Sequence, residues 1–226
     1  MINAFYKKYQ KHFDVSENNF AHFVMWSCGG ICIGFVIGLV GIAFHLALEW
    51  ATEFRTAHPM LLWLLPFGGL AIVLAYRLAG QEKDRGTNFI LVAVRANEAV
   101  TLRTAPLIFF STVVTHLLGG SAGREGAALQ LGGSIASSFG RIFQLNEREG
   151  RIMTMCGMAA GFAARFGTPL TSVIFAMEVI TVGVMHYSAI VPCIISALVA
   201  AGLSQAVGIA PTTFSIAHIP ATVGLE

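Results

Sequence analysis

The stretch GGSAGREGAALQLGGSIASSFG, Gly119 to Gly140, sets one carboxylate, Glu125, between Arg124 and Gly126 among crowded glycines. Two kinds of chemistry suit that arrangement. A helix that starts here presents free N–H groups and about half a positive charge, which together can hold an anion. Glycines let the ligand approach, because no Cβ stands in the way. The carboxylate can itself occupy the anion position, and once protonated it is neutral and free to leave, so Glu125 reads as a gate and proton carrier. The plainer reading is a helix cap, or a pair with Arg124 at a membrane boundary. The residues alone leave both open.

A second segment of the same type is Gly86-Thr87-Asn88, followed by Phe89. It also reads as a helix start facing a cavity, with Thr87 and Asn88 adding side-chain donors. No nucleophile–base constellation appears. The histidines have no HxxxH or HExxH spacing, so His45, His116 and His186 are expected to be structural and neither metal nor cofactor is expected.

The elements that would position these residues are apolar. Hydrophobic residues make up 55% of the 226 and charged residues 12%, with mean hydropathy +0.71. A soluble domain carries about a quarter charged residues. The composition therefore points to an all-α, polytopic membrane protein. A net charge of +2 with no basic patch argues against nucleic acid as a partner. An acid within such a chain is costly, on the order of 3 kcal/mol at the bilayer centre, and so is seldom idle.

Residues 1–20 are polar and amphipathic and lack the layout of a signal peptide. Lys7, Lys8 and Lys11 precede the first apolar segment, which favours a cytoplasmic N-terminus. Apolar spans are expected at His22–Leu48 and Met60–Ala79. In the first, Gly30, Gly34 and Gly38 form consecutive GxxxG pairs that mark a close helix contact. Phe89–Val94 is too short to cross and reads as a re-entrant helix. Helices follow at Ala105–Leu118, Arg124–Phe139, Ile152–Ala164, Leu170–Val182 and Ile190–Val207. The polar run QLNEREGR reads as a loop, and residues 209–226 as a tail beyond a membrane domain over 21–208. Short, interrupted helices at membrane depth must line a cavity or be covered by protein, the pattern of transporters and channels.

Four cysteines, Cys28, Cys32, Cys156 and Cys193, read as buried free thiols. Glu49 and Glu53 are expected in solvent. Arg165 is expected to snorkel to an interface, with an ion pair to Glu178 as the other reading. Glu178 reads as structural.

Two linked motifs carry a family resemblance. GSAGREGAALQLGGSI resembles the GREGP-type signature of the CLC chloride channels and proton-coupled antiporters, and GMAAGFAARFGTPLTSVIFAMEVI resembles the segment that follows it there. The likeness runs from about Asp84 to Val207. RGTNFI stands where chloride members carry a GSGIP-like motif, and Ala127 stands where they carry Pro. GGSAGREG with FGTPL is similar to the bacterial fluoride/proton antiporter branch. Val179 occupies the position of the internal proton-transfer acid of chloride/proton exchangers, which also fits that branch.

The resemblance implies a CLC-type helical bundle and transport of a halide, fluoride before chloride, coupled to protons. It implies Glu125 as the gating glutamate and Gly123, Arg124, Gly126, Gly86, Thr87, Asn88 and Phe89 as anion contacts. It covers the N-terminal half of an inverted repeat, so the expected partners are halide, protons, membrane lipid, and a complementary C-terminal half or a second protomer. In the family, dimers form through the segments equivalent to Leu170–Val182 and Ile190–Val207. The implied location is the cell inner membrane. A chloride-selective channel or exchanger, or a non-transporting remnant, are the alternatives.

Overall fold

The computed structural model describes residues 19–81, 86, 92, 100–180 and 186–209, with side chains from Phe23 onward. Among the described residues there are seven α-helices, two short 3-10 turns and no strand. The helices are α1 (Asn19–Ala57), α2 (Leu65–Leu78), α3 (Thr104–Leu117), α4 (Arg124–Ile142), α5 (Glu147–Phe166), α6 (Pro169–Ile180) and α7 (Ile190–Ala206). The 3-10 turns are Pro59–Leu64 and Tyr187–Ala189. Three helical stretches are long and apolar enough to cross a membrane: Phe23–Ala57, Pro59–Leu78 and Tyr187–Ala206.

The first span is longer than its apolar run. α1 has 39 residues, about 58 Å at the α-helical rise, against about 30 Å of hydrocarbon. It continues through Glu49, Glu53 and Arg55 because that end needs no apolar environment. Both faces of α1 are apolar, so polarity does not tell the buried face from the outer one. Phe23, Ile31, Phe35 and Leu39 point outward, while Ile33, Ile37, Phe44 and Leu48 are buried. Gly30, Gly34 and Gly38 lie against α7. A Cβ on Gly34 would stand 2.5 Å from the Ser196 carbonyl oxygen, and one on Gly30 2.9 Å from that of Pro192. The expected close contact is there, and Gly41 makes another against Ala164 of α5.

α5 is the centre of the bundle. It packs on α1, α4, α6 and α7, and nearly every residue from Ile152 to Arg165 is buried. Its approach to α4 is backbone to backbone: Gly132 faces the Gly157 carbonyl, and a Cβ on Gly161 would lie 2.5 Å from the Ala128 carbonyl oxygen. Hydroxyls join α7 to α5. Ser196 Oγ donates to the Cys156 carbonyl at 3.0 Å, and Ser204 Oγ to that of Ala164 at 2.8 Å. Such bonds hold helices together where lipid removes the hydrophobic difference between partner and solvent.

Three expectations are corrected. QLNEREGR is not a loop throughout: α5 begins at Glu147 inside it. Asn146 Oδ1 accepts from the Glu149 N–H at 3.0 Å while Glu149 Oε2 accepts from the Asn146 N–H at 3.1 Å. This capping box satisfies two otherwise orphan donors, and the charges cluster because a helix start favours acids. Cys28 and Cys32 are exposed on α1, whereas Cys156 and Cys193 are buried with their sulfurs 3.6 Å apart. Arg165 does not reach an interface or pair with Glu178. It is 8% exposed and donates from Nη1 to His45 Nδ1 at 2.9 Å.

The expected re-entrant helix lies almost wholly outside the described residues; Val92 within it is helical and exposed. α6 is described to Ile180, so the expected end at Val182 lies outside them, as do residues 1–18 and 210–226.

Candidate functional site

The chain reaches α4 through a glycine turn. After α3, Gly119 adopts φ +85°, the left-handed region that favours glycine. Its N–H donates to the His116 carbonyl at 3.2 Å, and that of Gly120 to Thr115 at 2.8 Å, closing the end of α3. A Cβ on Gly120 would stand 2.7 Å from Thr115 Cγ2. Past Ser121 and Ala122 the backbone is extended at Gly123 (φ −67°, ψ 125°), which is the N-cap of α4.

The N-cap is a glycine, so it has no side chain of its own to cap this helix start. Its first-turn N–H groups have no partner within the helix, and a glycine N-cap brings no side-chain oxygen of the kind that Ser, Thr, Asn or Asp supplies at most helix starts. Glu125 is the acid of the first turn. It is exposed, and its Oε2 lies 3.7 Å from where a Gly123 Cβ would stand. The carboxylate thus folds back beside the N-cap, close to the positive end of its own helix.

Arg124 reaches back to α3. Its Nε donates to His116 Nε2 at 3.3 Å, and His116 Nδ1 lies 2.8 Å from the Thr112 carbonyl oxygen. A carbonyl oxygen only accepts, so Nδ1 carries the ring proton and Nε2 offers its lone pair to the arginine: His116 is neutral in this arrangement. The pair ties the start of α4 to α3.

Of the second proposed segment, Gly86 is described, while Thr87, Asn88 and Phe89 lie outside the described residues. Gly86 has φ +67°, and a Cβ there would lie 3.8 Å from Gln130 Nε2. Gly86 therefore lies close to the side chain of Gln130 on α4. Gln130, 5% exposed, was not singled out by sequence. An amide within an otherwise small and apolar run, five positions after the acid, was the signal that could have found it.

Behind the first turn of α4 lies a line of polar side chains that sequence reasoning also missed. Arg165 Nη1 donates to His45 Nδ1, and His45 Nε2 faces Glu49 Oε1 at 3.1 Å. Because Nδ1 accepts from the arginine, Nε2 is the protonated nitrogen and donates to the carboxylate. The line runs from the core to the surface, where the Glu49 side chain is 58% exposed. Arg165 borders a cavity of about 10 Å³ walled also by Gly41, Phe44, Ala128, Leu131 and Gly161, room for about one water-sized particle. Its Nε is buried without a hydrogen-bond partner among the described residues. Arg124 and Glu125 are within its electrostatic reach. Among the described residues, no group of three His, Cys, Asp or Glu side chains could hold a metal.

Comparison with known proteins shows the family and the fold. Residues 67–225 match the family model described as voltage gated chloride channel. The chain is 40% identical over 188 residues to the "Chloride/fluoride channel protein" of Pseudomonas syringae pv. tomato, covering 83% of this chain and 42% of that protein. It is 34% identical over 160 residues to the "H(+)/Cl(-) exchange transporter ClcA" of Cronobacter sakazakii, covering 64% of this chain and 34% of that one. Among solved structures, a CLC-type fluoride/proton antiporter superposes with a TM-score of 0.80 at 32% identity, over 92% of this chain and 53% of that chain. A slow cyanobacterial Cl−/H+ antiporter superposes with a TM-score of 0.62 at 21% identity, which shows the shared fold. The chain spans less than half the length of the curated relatives it matches. Its helices, its glycine-framed Glu125 and these matches together make it an all-α membrane protein that belongs to the CLC, or voltage gated chloride channel, family.

Proposed function

We propose that the chain forms part of the ion path of a CLC-type transporter that exports fluoride in exchange for protons, with Glu125 as gate and proton carrier. One observation carries the reading: α4 begins at a glycine N-cap that brings no capping side chain, and the Glu125 carboxylate lies beside that positive end. A small anion and the carboxylate then compete for the same N–H groups. Protonating Glu125 removes its claim on them and admits the anion; its departure with the proton links the two fluxes.

Fluoride is small and strongly hydrated, so a site for it must replace strong hydrogen bonds. Charge-assisted bonds from helix-start N–H groups are suited to that. Gly123, Arg124 and Gly126 shape the start, and Gly86, Thr87, Asn88 and Phe89 are assigned to its second wall. The names of the 40% identical bacterial relative and of the superposing antiporter support fluoride. The exchanger relative supports chloride as the second reading.

The remainder of the path would come from the rest of such a transporter, on the same chain, on a separate one, or from a second copy. α6 and α7 are the proposed dimer face. The bacterial relatives favour the cell inner membrane. The test is fluoride efflux from liposomes holding the 226-residue chain, with chloride as competitor. Proton-coupled efflux that Glu125→Gln uncouples is the expected result. Coupled efflux unchanged by that substitution removes Glu125 from the mechanism, and efflux of chloride alone selects the second reading.

A further inference from the structure

A buried arginine in a membrane bundle is costly and calls for a use. Among the described residues, Arg165 has one hydrogen bond from Nη1 to a neutral imidazole and an Nε without a partner, and it borders a small cavity whose wall includes Ala128 of the first α4 turns. Among the described residues, the one carboxylate linked to it is Glu49, which lies beyond His45 and is largely in water. The groups facing this region from the packed elements are His45 and Glu49 on α1, His116 on α3, Arg124 and Glu125 on α4, and Arg165 itself on α5. With Glu125 ionised, two arginines face one nearby carboxylate. With Glu125 protonated, the two cations keep only a solvent-screened partner, and the region has an uncompensated positive charge.

We propose that Arg165 is an anion-affinity residue: a fixed cation, held in place by His45 and Glu49, that draws a small inorganic anion to the start of α4 whenever Glu125 is neutral. This rests on the reading of that helix start as the anion site and adds a residue to it. The cavity that Arg165 borders has the size of one water or one fluoride, and no carboxylate is among its described lining residues. Arg165 then links the two cargoes by charge balance, since losing the negative charge of Glu125 and gaining that of the anion leave the region's total unchanged.

The experiment measures binding of fluoride, by broadening of its 19F resonance, to the purified 226-residue chain in detergent, with chloride as competitor. Wild type, Arg165→Met and Arg165→Lys are compared, with helical content and elution volume as checks on folding. Removing one buried charge near the site is expected to weaken fluoride about tenfold or more, while the charge-keeping lysine stays within about threefold. A folded Arg165→Met that binds like wild type overturns the proposal. So does a folded Arg165→Lys that binds as poorly as Arg165→Met. Absence of binding to wild type overturns the anion-site reading before either variant is considered, which separates the two failures.

Should Arg165→Met not fold, the lysine variant carries the test by itself. A buried ammonium gives up its proton as pH rises, whereas a guanidinium keeps its own. Measured in the Glu125→Gln background, where position 125 stays neutral at every pH, fluoride affinity of Arg165→Lys should therefore fall relative to the chain that keeps Arg165 between about pH 7 and about pH 10. Parallel curves overturn the proposal.

Discussion

Arg124 Nε donates to His116 Nε2 at 3.3 Å, so the residue beside the candidate gate is anchored to the helix that precedes it. The anchor depends on the tautomer fixed by the Thr112 carbonyl. His116→Leu keeps the bulk and removes the acceptor. Loss of one such bond is worth about 1 kcal/mol, so fluoride efflux should slow about fivefold while helical content holds. Nitrogen-15 shifts of the wild-type ring should report protonated Nδ1 and bare Nε2; the opposite tautomer would contradict the arrangement.

Gly132 and Gly157 allow α4 and α5 to touch through their backbones. Gly157→Val has no free space on that side, because Gly132 O and Ala136 Cβ already occupy it. Overpacking of this kind costs about 1–3 kcal/mol. Thermal unfolding in detergent should occur at a lower temperature than for Gly202→Ala on α7, where nothing lies within 4 Å of an added Cβ. Equal melting points for the two variants would show that the helix pair can part without loss.

Ser196 and Ser204 both donate to carbonyls of α5. Each is buried, and interhelical bonds of this type in membranes are worth about 0.6–2 kcal/mol. Ser204→Ala and Ser196→Ala should each destabilise by that order, measured by reversible unfolding in mixed micelles. Because Ser196 also donates to Cys193 within α7, its effect is expected to be the smaller of the two.

The capping box of α5 lies at the polar end of the α4–α5 hairpin. Asn146→Ala should cost about 1 kcal/mol and speed amide exchange at Glu149 while leaving the interior of α5 protected. Uniform loss of protection along α5 would mean that the helix starts elsewhere.

How much of this could be read in advance depended on the kind of signal. The close faces of α1 were legible because Gly30, Gly34 and Gly38 repeat at helical spacing, and only small residues permit such approach. The start of α4 was legible because glycine, arginine and acid appear together in a recurring order. The start of α5 was written in the sequence as Asn146 followed by Glu149 at capping-box spacing, but the density of charge in QLNEREGR made it look like loop. Arg165 was not legible. Its partner His45 is 120 residues away, and no local pattern links them. Burial on α1 was equally hidden, since a helix with apolar residues on both faces gives periodicity no contrast to display.

That lack of contrast leaves an experimental handle on α1. Cys28 and Cys32, one helical turn apart, are exposed, while Cys156 and Cys193 are shut inside the bundle. A membrane-permeant maleimide should therefore label two thiols of the folded chain and four after denaturation. A fluorophore there would sit on the outer side of α1, away from the contacts with α5 and α7. Its emission would report the polarity at that depth, and its accessibility would fall if another subunit came to cover that face. The chain thus carries its own footprinting probe for assembly, without a cysteine having to be engineered into it.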